Sequence, residues 1–469
     1  MFLRAFLTNS SGILASRILG FIRDLMTASI LGAGIYSDIF FVAFKLPNLF
    51  RRIFGEGAFN QAFLPSFFQA RFRGGFALKI LAVFCGILFV LSMLVWSFQK
   101  EVTKVLAYGF SDENITLAAP LVAINFWYLL LVFVVTFLGA MLQYKRNFTA
   151  WAYSPALLNL AMIVALFLAR NSPAYEAVLW LSYGVLAGGM AQILLHFYPM
   201  WRLKFFRLLC VGFKELESKK EAVNASVKSF YKQFFPAMIG SSSAQLASFI
   251  DTLLASFLTS GAISYLYYAN RIFQLPLAIF AIATSTALFP LVAKYLKEKQ
   301  ELKALKELSR SFWLLCFLLG ACVIGGVLLQ NEIIWLLFER GQFGREDTLE
   351  TAAVFSAYMF GLLPFGLSRI FSLWLYSQNK QALAAKITAF SLGVGTICSL
   401  VLMQFYGAVG LAIAGSISGF FVFFLTLHYF GWGRFFSILN HPKWLLIIVA
   451  LLALEIVLIM FFKQYIFTL

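Results

Sequence analysis

The stretch Ser16-Arg-Ile-Leu-Gly-Phe-Ile-Arg-Asp24, followed after a short break by Asp38-Ile-Phe-Phe-Val-Ala-Phe-Lys45-Leu-Pro47-Asn-Leu-Phe-Arg51-Arg52-Ile-Phe-Gly-Glu56, sets charged residues inside two runs long enough to cross a bilayer. Working outward, the setting is apolar throughout. Of 469 residues 61% are hydrophobic and 12% charged, with a mean hydropathy of +0.86, which excludes a soluble globular domain. About thirteen helices are predicted, over 5–32, 37–70, 77–98, 116–141, 151–169, 177–198, 233–259, 263–293, 310–329, 350–376, 384–404, 408–430 and 443–463. The first run, Met1 to Ala33, is long, holds charges and lacks a clean small-residue cleavage site, so it reads as a retained helix.

The net charge of +17 would suit a nucleic-acid binder, but its distribution argues against nucleic acid. With the amino terminus placed in the cytoplasm, roughly 24 Lys/Arg fall in or beside inside loops and about 6 outside, as the positive-inside rule expects. Seven basic residues remain within spans: Arg17, Arg23, Lys45, Arg51, Arg52, Arg271 and Arg369. The longest inside loop, 201–232, mixes lysines and arginines with Phe205, Phe206, Leu208 and Leu209, the pattern of a helix lying on the membrane surface. A second charged inside segment runs from Lys294 to Arg310.

The expected fold class is an all-α polytopic membrane protein. It comprises a six-helix lobe over 1–200, the amphipathic linker 201–232, a second six-helix lobe over 233–430 and an extra transmembrane segment over 431–469. A weak echo supports the duplication. Asp24-Leu-Met-Thr-Ala-Ser-Ile-Leu-Gly precedes Lys45-Leu-Pro47 and Phe63-Leu-Pro65, while Asp251-Thr-Leu-Leu-Ala-Ser-Phe-Leu-Thr precedes Gln274-Leu-Pro276 and Leu288-Phe-Pro290. Six is even, so the lobes keep one orientation and are expected to be related by a pseudo-two-fold along the membrane normal, around a central cavity.

Arg17 and Asp24 share a helix face, with Arg23 on the adjacent stripe; Asp38, Lys45, Arg52 and Glu56 fall on one stripe of the next helix, subject to a kink at Pro47. Basic members outnumber the acids Asp24, Asp38, Glu56 and Asp251. Each charge at mid-membrane costs roughly 2.5–3.5 kcal/mol on insertion scales, so an unpaired surplus is expected around water rather than lipid. Guanidinium groups offer two parallel hydrogen bonds to a phosphate, so the expected cargo is anionic. The bland alternative is internal pairing that holds helices together. His196, His428 and His441 lie near predicted helix ends and read as interface residues; the five cysteines lack metal-ligand spacing. No phosphate-binding loop, nucleophile elbow or paired-His motif is present in the sequence.

The block from Ser16 to Pro65 closely resembles the MurJ (MviN) family of bacterial lipid II flippases, as do Tyr267-Tyr-Ala-Asn270-Arg271-Ile-Phe-Gln-Leu-Pro276 and Phe338-Glu-Arg-Gly-Gln-Phe343. That family sits in a superfamily with multidrug exporters and polysaccharide-repeat flippases. The resemblance implies a transporter, not an enzyme, in the bacterial cytoplasmic membrane. It would move undecaprenyl-diphosphate-linked disaccharide-pentapeptide to the outer leaflet by alternating access for peptidoglycan synthesis. Its partners would be lipid II and membrane lipids, and it would act as a monomer without a cofactor. The resemblance assigns Arg17, Arg23, Arg52 and Arg271 to the headgroup diphosphate and Asp24, Asp38, Lys45, Glu56 and Asn270 to the cavity or its gates. It also offers Asp251 as a sodium ligand, although the span 390–398 supplies no carboxylate to help. Sodium, protons or the membrane potential would provide the drive. Family members usually have fourteen spans, whereas only about one follows residue 430 here. A flippase for another lipid-linked oligosaccharide and a drug/cation antiporter are the rival readings, the latter disfavoured by the sign of the charge; a membrane scaffold is the third.

Overall fold

The computed structural model describes residues 2–55 and 58–466, with side chains apart from those of residues 2–10, 52–55, 239–244, 246–247 and 465–466. By contacts the chain forms two compact units, Met1–Ser260 with Arg340–Phe343, and Gly261–Glu339 with Gly344–Leu469. The division therefore falls downstream of the basic linker.

In the first unit the helices are α1 (Phe2–Leu31), α2 (Ile35–Gly55), α3 (Ala58–Gln69), α4 (Arg73–Ser97), α5 (Gln99–Leu106), α6 (Asp112–Phe126), α7 (Tyr128–Tyr144), α8 (Thr149–Leu168), α9 (Ala174–Arg202), α10 (Phe205–Ser218) and α11 (Lys220–Ala255). The second holds α12 (Ala262–Pro276), a π-helical turn (Leu277–Ile282), α13 (Ala283–Lys297), α14 (Glu301–Leu328), α15 (Gln330–Phe338), α16 (Arg345–Ser377), α17 (Gln381–Phe430), α18 (Trp432–Leu439) and α19 (Pro442–Ile466). Each of the thirteen segments read from hydropathy falls on one of these helices or on a broken pair. Among the described residues nine helices are long and apolar enough to cross a membrane; α1, α2–α3 and α11, which carry most of the intramembrane charge, are outside that set.

The breaks have local causes. Pro276 closes α12, and because proline lacks the N–H that continues an α-helix, the next turn widens to a π-helix before α13 resumes. Gly407, at φ 53° and ψ −130°, turns α17 back on itself, so its 50 residues make two spans. A side chain there would be strained. The expected separation of 384–404 from 408–430 rests on that one residue.

An aromatic core explains why α11 belongs with the first unit. Phe59, Phe63 and Phe67 recur every fourth residue on α3 and present one face. Phe59 meets Phe133 of α7 edge-on at 5.5 Å and Phe230 of α11 at 5.8 Å; Phe84 of α4 meets Phe234 of α11 at 5.4 Å. Edge-to-face pairs of this kind add about 0.5–1.5 kcal/mol each beyond the area they bury.

The linker helix departs from expectation. Instead of resting only on the membrane surface, α10 crosses the start of α4 at backbone contact. A Cβ on Gly74 would lie 2.4 Å from the Leu208 carbonyl oxygen, and one on Gly212 would lie 2.5 Å from the Gly74 carbonyl carbon. Two glycines let the helices approach this closely. Glu215 of α10 then accepts the Gly75 N–H at 2.6 Å. That N–H is one of the donors a helix start leaves unsatisfied, and a carboxylate is favoured there by the helix dipole. Gly212→Leu is expected to lift α10 off α4. Faster tryptic cleavage at Lys219–Lys220 in the detergent-solubilised protein would report it, and an unchanged cleavage rate would contradict the packing.

Candidate functional site

The charged residues of α1 separate into two environments. Arg17 is exposed, whereas Arg23 and Asp24 retain only 8% and 1% of their accessible surface. Adjacent residues on a helix point about 100° apart, but the arginine stem is long enough to fold back on its neighbour. Arg23 donates to Asp24 Oδ1 from Nε at 3.0 Å and from Nη2 at 2.5 Å. Its Nη1 donates to Asn159 Oδ1 of α8 at 2.9 Å, and Asn159 Nδ2 donates to the Ser16 carbonyl at 3.0 Å. Two charges and an amide thus fasten α1 to α8. The expectation that Arg23 adds to an unpaired cationic surplus is not met in this conformation, because a carboxylate one residue away and an amide 136 residues on satisfy it.

On α2, Asp38 is buried at 2% exposure. Lys45 is half-buried and donates to Ser248 Oγ of α11 at 2.9 Å. Asp251 lies almost one turn further along α11, is exposed, and is near enough to feel the Lys45 ammonium. The predicted stripe along α2 is therefore drawn sideways, toward a helix the sequence places some 200 residues away. Arg51 turns back to Asn48 Oδ1, at 3.3 Å from Nε and 3.0 Å from Nη2. Arg52 lies on α2 but its side chain is outside the described residues, as is all of Glu56. Among the described residues no group of three or more His, Cys, Asp or Glu could hold a metal.

In the second unit Asn270 and Arg271 are neighbours on α12, both half-buried, one turn before Pro276 and the π-helical turn. Gln274 Nε2 donates to Asn270 Oδ1 at 2.7 Å. A bond along the helix in the last turn before a proline fixes the Asn270 amide beside Arg271. Arg369 of α16 is exposed.

Hydropathy gave no sign of two further features. The segment Arg340–Phe343 packs with the first unit: the Gln342 N–H donates to the Ser29 carbonyl of α1 at 2.8 Å, and Gly341 adopts φ +63° with no room for a Cβ. The Gly-Gln pair in that block is the one visible signal. A buried polar ladder runs through α7, α8 and α9, where Tyr128 donates to Gln192 Oε1 at 3.2 Å and Gln192 Nε2 to the Ser154 carbonyl at 2.8 Å. His196 joins it, fully buried, with Nδ1 2.7 Å from the Gln192 carbonyl oxygen. His196, read as an interface residue, therefore faces the inside of the bundle, on the side of α9 where Gly188 and Gly189 let α7 and α8 approach closely.

Comparison with known proteins gives the following. A family model described as lipid II flippase MurJ matches residues 27–468. A Helicobacter pylori strain J99 protein described as a probable lipid II flippase MurJ is 54% identical over 447 residues, covering 94% of this chain and 97% of its own. An Aquifex aeolicus protein of the same description is 32% identical over 388 residues, covering 82% of this chain and 74% of its own. Among solved structures, a lipid II flippase MurJ in an inward closed conformation matches with a TM-score of 0.77 at 23% identity, over 98% of this chain and 100% of that one. An inward-facing multidrug transporter of the MATE family gives 0.69 at 13% identity, over 91% and 96%. At these identities the two structures speak to the fold alone, a helical membrane transporter.

Proposed function

The chain belongs to the lipid II flippase MurJ family, and we propose on that premise that it moves lipid II from the inner to the outer leaflet of a bacterial cytoplasmic membrane by alternating access. It acts as a transporter, with no bond made or broken. The observation that carries the reading is the 54% identity to a probable lipid II flippase over nearly the whole of both chains. The charged residues agree with it in sign. Arg17 is exposed and Arg271 half-buried, and both present a guanidinium suited to a diphosphate. In this proposal Arg52 of α2 also serves the diphosphate. Arg23 holds α1 against α8 and reaches cargo only when Asp24 and Asn159 release it.

In this proposal the amino terminus and the basic loops face the cytoplasm, as the charge bias favours, and the protein works as a monomer. Lys45 donates to Ser248 Oγ, and its charge acts on Asp251 of the same helix. A coupling cation at Asp251 would have to compete with the Lys45 ammonium, so the two would alternate there; the membrane potential is the other available drive. Reconstitution in liposomes tests the reading. Fluorescent lipid II placed in one leaflet is expected to become accessible in the other, while an organic cation stays put. Movement of the cation and not of lipid II would favour the antiporter reading, and movement of neither would leave only a scaffold.

A further inference from the structure

Within the second unit, at the end that carries the basic segment Lys294–Arg310, the ends of α13 and α16 and the starts of α14 and α18 surround a cavity of about 680 Å³. Lys297, Lys299 and Arg434 line it against one carboxylate, Glu301, a balance of two positive charges. Arg434 is held at three points. Its Nε donates to Glu301 Oε1 at 2.6 Å, its Nη1 donates to the Phe430 carbonyl at 2.8 Å, and the guanidinium lies 5.2 Å from the centre of the Trp374 ring. This leaves Nη2 as the donor without an assigned bond. A guanidinium fixed on three sides has little entropy left to lose when a ligand arrives.

The donors beneath it are what a cationic surface alone would not supply. Trp374 lines the cavity at 1% exposure, and among the described residues its indole N–H finds no hydrogen-bond partner; the Ser377 hydroxyl, also lining the cavity, finds none among them either. A buried N–H without an acceptor is costly, so its presence calls for an explanation such as a ligand that accepts from it. The amides of Gln378 and Asn379 close the rim, with Asn379 held in the left-handed conformation at φ 58°. Neutral donors and two exposed ammonium groups lining one cavity form a site for a compact, multiply charged oxyanion. Basic pockets between spans on the positively flanked side of a membrane suit phosphate headgroups in particular.

We propose that this cavity binds a phosphate group, from an anionic lipid headgroup or a free phosphate, away from the arginines assigned to the cargo. Two comparisons of melting temperature test it, using the purified full-length protein. In neutral detergent, sodium phosphate is compared with sodium chloride at equal ionic strength. In nanodiscs, phosphatidylglycerol is compared with phosphatidylcholine. Saturating ligand is expected to raise the wild-type melting temperature by about 3 °C. The Lys297→Gln/Lys299→Gln double variant should lose at least half of that rise, and Ser377→Ala part of it. Both lysines are exposed, so the ligand-free melting temperature of the double variant should match wild type. A rise with inorganic phosphate assigns a free anion; a rise with phosphatidylglycerol alone assigns the headgroup. No rise in either comparison, or an undiminished rise in the double variant, overturns the proposal.

Discussion

Asp24→Ala is expected to destabilise the protein by about 3–5 kcal/mol, because it strips a buried guanidinium of its counter-charge. Arg23 has 8% of its surface exposed and donates two hydrogen bonds to Asp24. Without the carboxylate, the cation loses its adjacent counter-charge and two of its donated bonds. The melting temperature in detergent should fall by several degrees, and cellular abundance should fall with it. Arg23→Met paired with Asp24→Leu should recover most of the loss, since replacing both members of a buried pair by apolar groups is often neutral or better. If Asp24→Ala melts as wild type does, the pair does not bear on stability. The double variant also separates two roles. Should it fold normally yet fail to move lipid II, Arg23 or Asp24 is needed for transport itself.

Arg17→Ala and Arg271→Ala carry the second large effect, on transport rather than on folding. A hydrogen bond to a charged group contributes about 1.5–3 kcal/mol. Losing one such contact to a diphosphate should therefore weaken capture of lipid II by about tenfold to a hundredfold. Arg17→Lys should recover the charge but not the planar fork, and so fall between alanine and wild type. The melting temperature of Arg17→Ala should stay near wild type, Arg17 being exposed. Correctly inserted variants that both translocate labelled lipid II at the normal rate would remove the arginines from the mechanism.

The fold was legible because a bilayer tolerates so few backbone solutions. Apolar length alone located the thirteen segments, and glycine and proline marked the turn at Gly407 and the break after Pro276. The site was legible in composition but not in pairing. Period and sign placed Arg17, Arg23, Asp24, Asp38 and Lys45 on two helices. Nothing local could show that Asn159 would satisfy Arg23, or that Ser248 would accept from Lys45. Both partners are neutral, lie more than 130 residues away in sequence, and belong to helices whose rotation is fixed by packing. The linker shows the same limit. Its amphipathic pattern is real, but a hydrophobic period cannot distinguish a lipid surface from the glycine face of a neighbouring helix.

The crossing of α10 over α4 also sets an order on synthesis. Glu215 is 140 residues downstream of the Gly75 N–H it caps. At translation rates of about 5–20 residues per second, the ribosome needs roughly 7 to 28 s to deliver that carboxylate after Gly75 has been made. Through that interval α4 must enter the bilayer with its first turn uncapped and its glycine notch empty, while three more spans follow it in. The seam between the nascent helices closes only when the linker emerges, so a part of the first unit made late completes one of its early helices.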